Sequence, residues 1–124
     1  MTPTRVGPDD AERLRQFKAG FFKALGNPLR IQILELLRGG PLGVAQILVA
    51  TGAPASSVSQ QLGILRSRNI VVAERHGTTI SYEAADAELY ELLDVARRIF
   101  NAHLSDTIDM LRLVEDETPA NPGG

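Results

Sequence analysis

Two apolar-patterned stretches, residues 44–51 and 53–68, are separated by little more than Gly52, and this spacing constrains the fold more than any other feature of the chain. In the first, Val44, Ile47 and Leu48 share one helical face and Gly52 supplies the terminator. In the second, Val58, Leu62 and Leu65 recur at i, i+4 and i+7, which places them on one side of an α-helix, with Pro54 in its first turn. Helices so closely joined form a tight helix-turn-helix. The outer face of residues 53–68 carries Ser56, Ser59, Gln60, Gly63 and Ser67 without a carboxylate, and Arg66 and Arg68 stand at its end. A solvated helix face ordinarily mixes Glu with Lys, so this one is built to meet a polar partner.

The flanking segments read as supports for this pair. Asp9 or Asp10 caps a first helix in which Leu14, Phe17, Phe21 and Leu25 fall on one stripe, ending near Gly26. Asn27 suits an N-cap, with Pro28 at the first helical position, where its missing N–H costs nothing. Leu29, Ile33, Leu36 and Leu37 make the buried face of this second helix, and Gly39-Gly40-Pro41 stops it. Residues 70–74 and 79–84 are β-prone runs flanking a His76-Gly77-Thr78 turn, which predicts a hairpin that must pack on the helices. Asp86 caps a last helix running to about residue 115, with an apolar stripe from Leu89 through Leu93, Phe100, His103, Thr107 and Met110 to Val114. Such a helix is about 45 Å long, more than a small core covers, so part of its stripe is expected to bury against a second copy. Residues 1–8 read as a flexible arm and 116–124 as a disordered tail, leaving residues 9–115 as the folded domain.

At 124 residues the chain is one domain's worth and buries only a modest share of its surface alone, which again favours a partner chain. The absence of cysteine removes disulfides, thiolate metal sites and cysteine nucleophiles together. No apolar run approaches the ~20 residues of a membrane span and the start lacks a signal peptide's core, so a cytoplasmic location is expected. Neither a nucleophile elbow nor a phosphate-cradling glycine loop is present, and the two histidines lie far apart, so no enzyme is expected. The net charge of −2 hides an asymmetry. Residues 26–80 hold five basic side chains against two acidic ones, whereas three basic side chains face ten acidic ones from Ser81 onward. The middle of the chain therefore suits a polyanion.

Helix-turn-helix followed by hairpin is the winged-helix order, a mainly α fold with a small β-hairpin. In it the second helix of the pair enters a major groove of double-stranded DNA and the hairpin meets the adjacent backbone or minor groove. Ser56, Ser59 and Gln60 are the candidates for base edges, Gln being suited to a bidentate contact with adenine. Ser57, Arg66, Arg68, Arg30 and the wing residues Arg75, His76, Thr78 and Thr79 are candidates for phosphates, contacts that position without specifying. Gly63 costs about 1 kcal/mol relative to Ala inside a helix, which fits close approach of DNA or another helix, or drift at a tolerant site. The same fold also serves as a dimeric adaptor that docks a partner protein.

Three separated stretches, LGNPLRIQILELLRGG, SSVSQQLGILRSRNIV and RHGTTISYEA, resemble the ArsR/SmtB family of winged-helix repressors. That family's pattern runs L-x-x-P-x-R-x-x-I-L-x-L-L, then S-T-V-S-x-H-L-x-x-L-R, then R-x-G-x-x-x-Y. The resemblance covers about residues 24–84. It implies a homodimer paired through its terminal helices, Arg30 and Arg66 near phosphates, and release from an operator when an effector binds.

The effector region departs from that pattern. Where soft-metal sensors of the family carry Cys-x-Cys, this chain has Gly43 and Ala45. Where others hold zinc, nickel or cobalt between terminal helices, it offers Asp86-x-Glu88 and His103-x-x-Asp106, with His103 four residues beyond the family spacing. That set suits a divalent transition metal such as nickel or zinc. The simpler reading makes Asp86 an N-cap, Glu88 a favourable first-turn acid and His103 a seam residue with a polar edge. A small organic effector or a partner protein would then be the switch in place of metal.

Overall fold

The computed structural model describes residues 7–117. They form α1 (Pro8–Ala24), α2 (Pro28–Leu37), β1 (Leu42–Gly43), α3 (Val44–Thr51), α4 (Ala55–Ser67), β2 (Val71–His76), β3 (Thr79–Ala84) and α5 (Glu88–Glu117), the expected winged helix-turn-helix order. The chain divides into two compact units, the first ending at Asp86 and the second beginning at Ala87. Of the arm and tail anticipated at the ends, residues 1–6 and 118–124 lie outside the described residues.

Local chemistry sets the helix ends. α1 starts on Gly7 rather than on Asp9 or Asp10: Pro8 takes the first helical position, and the Gly7 N–H donates to the Asp10 carboxylate at 3.3 Å. Asp10 thus serves as the far half of a capping box. α2 opens as expected, its Asn27 Oδ1 accepting from the Arg30 N–H at 3.0 Å. α3 ends on Gly52 at φ 66, a left-handed conformation that a side chain would strain. Pro54 is the N-cap of α4 and not a residue of its first turn, so the connection runs over three residues, 52–54.

The close of α4 was not anticipated. Asn69 N–H donates to the Arg66 carbonyl at 3.0 Å and Ile70 N–H to that of Leu65 at 2.9 Å, with Asn69 at φ 57. This is a Schellman ending in which Asn takes the left-handed position, the side chain that tolerates it best after glycine.

The core of the first unit joins Ile33, Leu34 and Leu37 of α2, Ile47 of α3, Val58, Leu62 and Leu65 of α4, and Ile70 and Val71, none more than 3% exposed. Leu34 is fully enclosed, whereas Leu29 and Leu36 are half-buried. The reason is that α2 packs against α3, α4 and β3 together, which covers a wider arc than one stripe. On α1 only the end is covered: Ala24 is buried, while Leu14 and Phe17 are exposed.

β2 and β3 pair antiparallel from Val71↔Ala84 to His76↔Thr79. His76 is therefore a strand residue, and the turn is Gly77-Thr78, with Gly77 at φ 66 and Thr78 outside the positive region, the pattern of a two-residue II′ turn. A third strand escaped the sequence reading: β1 pairs with β3 through Leu42↔Tyr82 and Gly43↔Ser81, giving the order β1-β3-β2.

The second unit is α5, an uninterrupted helix of 30 residues with Glu88 and Glu91 in its first turn. It starts at Glu88, two residues after Asp86. Leu89 is buried, but Ile99, Phe100, Leu104, Met110, Leu111, Leu113 and Val114 are half or more exposed.

Candidate nucleic-acid interface

α4 divides cleanly between its two sides. Val58, Leu62 and Leu65 are 0%, 2% and 0% exposed, while Ser56, Ser59 and Gln60 are exposed and Ser57 is half-buried. Burial of the inner side forces the hydroxyls and the Gln60 amide outward. No acidic residue lies anywhere on α4, and its first turn lacks a side-chain cap, so the leading N–H groups add partial positive charge at that end. At Gly63 an added Cβ would meet nothing within 4 Å in the chain, so no helix of the first unit explains the glycine. Ser67 contributes less than its position promised, because its hydroxyl turns back to donate to the Ile64 carbonyl at 2.7 Å. Arg66 is exposed in the last turn of α4.

The wing residues stand together at the hairpin tip. Arg75, His76, Thr78 and Thr79 are all exposed, and the Thr79 hydroxyl donates to the His76 carbonyl at 2.8 Å, bracing the turn. The His76 ring has Nε2 at 3.8 Å from the Glu74 carboxylate, so an acidic neighbour shares the wing with its basic groups.

Two arginines sit differently from the expectation. Arg30 is half-buried, donating from Nε to the Ala24 carbonyl at 2.6 Å, from Nη1 to Gln61 Oε1 at 2.6 Å and from Nη2 to the Lys23 carbonyl at 3.4 Å. Each of the three nitrogens has an acceptor inside the chain, which occupies three of the five guanidinium N–H groups and gives Arg30 an internal structural role. The guanidinium of Arg68 lies against α1 at Gly20, where an added Cβ would stand 2.7 Å from Nη1.

The residues suggested for a metal do not assemble within one chain. Glu88 and His103 lie on the same unbroken helix, fifteen residues and so about 22 Å apart along its axis. Among the described residues no three His, Cys, Asp or Glu side chains come together as a metal site. His103 and Asp106 share an exposed face of α5, and the Thr107 hydroxyl donates to the His103 backbone carbonyl at 2.9 Å.

A three-residue helix connection, an acid-free outward face on the second helix and an exposed hairpin tip that carries Arg75 define a winged helix-turn-helix DNA-binding transcriptional regulator. Comparison with known proteins agrees. Residues 27–72 match the profile of the bacterial regulatory proteins of the arsR family. The chain is 42% identical over 103 residues to the HTH-type transcriptional regulator Rv0081 of Mycobacterium tuberculosis, spanning 82% of this chain and 90% of that one. It is 40% identical over 89 residues to the HTH-type regulator NmtR of the same organism, covering 72% and 73% of the two chains. The fold matches the crystal structure of Rv0081 with a TM-score of 0.70 over 77% of this chain and 96% of that one. It also matches the homodimeric winged helix-turn-helix DNA-binding domain of Mb0332 from Mycobacterium bovis, at 33% identity and a TM-score of 0.72 over 84% and 94% of the chains. The protein belongs to the arsR family. Among the described residues no helix is long and apolar enough to cross a membrane.

Proposed function

We propose that this chain acts as a homodimeric repressor that binds a pseudo-palindromic operator, placing one α4 in each of two successive major grooves. The observation that carries the reading is the outer face of α4, exposed, hydroxyl- and amide-bearing and free of acid above a fully buried inner face. Gln60 with Ser56 and Ser59 meets base edges; Arg66, Ser57 and the tip of the wing meet phosphates. The dimer is supported by the apolar side chains that α1 and α5 leave exposed in the single chain, Phe17, Ile99 and Phe100 among them, and by the homodimeric state of the Mb0332 domain. The role is regulatory rather than catalytic, and its place is the cytoplasm, where the DNA is.

Selection of duplexes from a random pool by the purified protein tests this reading. Against a selected duplex, Gln60→Ala should weaken binding and relax discrimination at one base pair. Arg66→Ala should weaken selected and random DNA alike and flatten the salt slope by about one unit. Variants that both bind like the parent would overturn these roles, and a pool that yields no enriched sequence would favour the adaptor.

The effector reading is narrower. A nickel or zinc ion held by Asp86, Glu88, His103 and Asp106 requires two antiparallel copies of α5, because one copy keeps the two donor pairs apart. Calorimetry of the parent and His103→Ala with nickel, zinc and cobalt tests it: a tight event lost in the variant is what a metal switch demands. No such event would leave a small organic molecule or a partner protein as the effector.

A further inference from the structure

We propose that Arg30 and Gln61 form a clamp that sets the position of the DNA-reading helix α4 against the end of α1, making both of them positioning residues for operator recognition. The inference rests on the DNA-binding reading above and assigns to these two side chains a role without DNA contact.

Arg30 stands in the first turn of α2, and the cap that starts this turn holds its backbone: Asn27 Oδ1 accepts from the Arg30 N–H. From there the guanidinium reaches two other helices. Nε and Nη2 donate to the carbonyls of Ala24 and Lys23, which are among the last carbonyls of α1. Helix C-termini carry partial negative charge, so a cation there is favourable, and the Lys23 carbonyl shares its lone pairs between Arg30 and the Gly26 N–H at 3.0 Å. Nη1 donates at 2.6 Å to the amide oxygen of Gln61, thirty-one residues away on α4. A guanidinium only donates, so this contact fixes which end of the Gln61 amide faces Arg30. Gln61 is half-buried at the border between the two sides of α4, immediately beside the exposed Gln60. The clamp therefore acts where a small shift of the backbone moves a base-reading amide.

A second contact braces the same two helices further along. Arg68, just past the end of α4, places its guanidinium against Gly20 of α1, and the absent side chain at Gly20 makes the room for it. The reading helix is thus tied to α1 at its middle and braced at its end.

Arg30→Lys, Gln61→Leu and the double variant test the clamp in the full chain. Lysine keeps the charge but loses the fork that spans two helices, so it sustains a phosphate contact and fails as a clamp. The result expected for each single variant is a loss of about ten-fold in affinity for a duplex selected by the parent, with binding to random DNA and the salt slope unchanged. The double variant should be no weaker than Arg30→Lys alone, since the Nη1–Gln61 contact that Gln61→Leu removes is already lost with the guanidinium. Without DNA, amide hydrogen exchange should quicken over residues 57–66 in Gln61→Leu while the cooperative melt of the domain persists. Full affinity in Arg30→Lys, a flattened salt slope, additive losses or unchanged exchange would each overturn the clamp. If the exchange result holds while the parent selects no duplex, the link between helices stands and it is the DNA reading, with the clamp's part in it, that falls.

Discussion

α4 and α5 are both amphipathic helices of one chain, and they end in opposite situations. The apolar side of α4 is enclosed by α2, α3 and β2, with Val58 and Leu65 at 0% exposure. That of α5 is covered at Leu89 and open over its later turns, where Phe100 is 68% exposed and Met110 67%. The contrast separates two kinds of stability. The reading unit completes its core from its own residues, whereas the long helix carries apolar surface that a single chain leaves in water, at roughly 25 cal/mol for each Å² not buried. Recognition and assembly are therefore open to separate perturbation.

The largest expected effect lies inside the reading unit. Leu65→Ala should cost about 2–5 kcal/mol, measured by chemical denaturation, because a fully enclosed leucine leaves a cavity in the core of the first unit. A cost below about 1 kcal/mol would mean that α4 is less firmly seated than its burial indicates. Next comes the other side of the comparison. Phe100→Glu should weaken self-association by at least about 2 kcal/mol, read as a shift towards monomer in sedimentation equilibrium, with the secondary structure of the first unit retained. An unchanged association constant would place the dimer contact elsewhere.

Two smaller effects sharpen the account of α4. Asn69→Ala should destabilise by about 1 kcal/mol, since φ 57 suits Asn better than Ala, and a thermal melt would register it. Gly63→Ala should do the reverse, raising stability by up to about 1 kcal/mol, because the new Cβ meets nothing and the helix loses a glycine. If Gly63→Ala also lowers affinity for a selected duplex while it stabilises the free protein, the glycine serves close approach of DNA.

Much of this was legible in the chain, because the signals were local. Asn27 followed by Pro28 marked the start of α2, Gly52 the end of α3, and the spacing of Val58, Leu62 and Leu65 the inner side of α4, each depending on residues within a turn or two. The outward placement of Ser56, Ser59 and Gln60 followed from that spacing. Less visible were features with distant partners. β1 is two residues long, too short for any alternation, and exists because β3 lies beside it. The metal set looked plausible as two short motifs, yet the unbroken course of α5 holds them apart within one chain.

Arg30 marks the boundary most clearly. Its sequence neighbourhood showed a basic residue in the first turn of a helix and said nothing of its acceptors, which lie six, seven and thirty-one residues away. By itself the sequence determined the caps, the helical periods and the acid-free side of the reading helix, since these arise from backbone geometry and nearest neighbours. Only the tertiary structure decided that Arg30 turns inward to join three helices, that Gln61 faces it, and that β1 finds its partner in β3. Those outcomes depend on which surfaces meet once the core has closed, and contacts between distant residues leave no period in the chain.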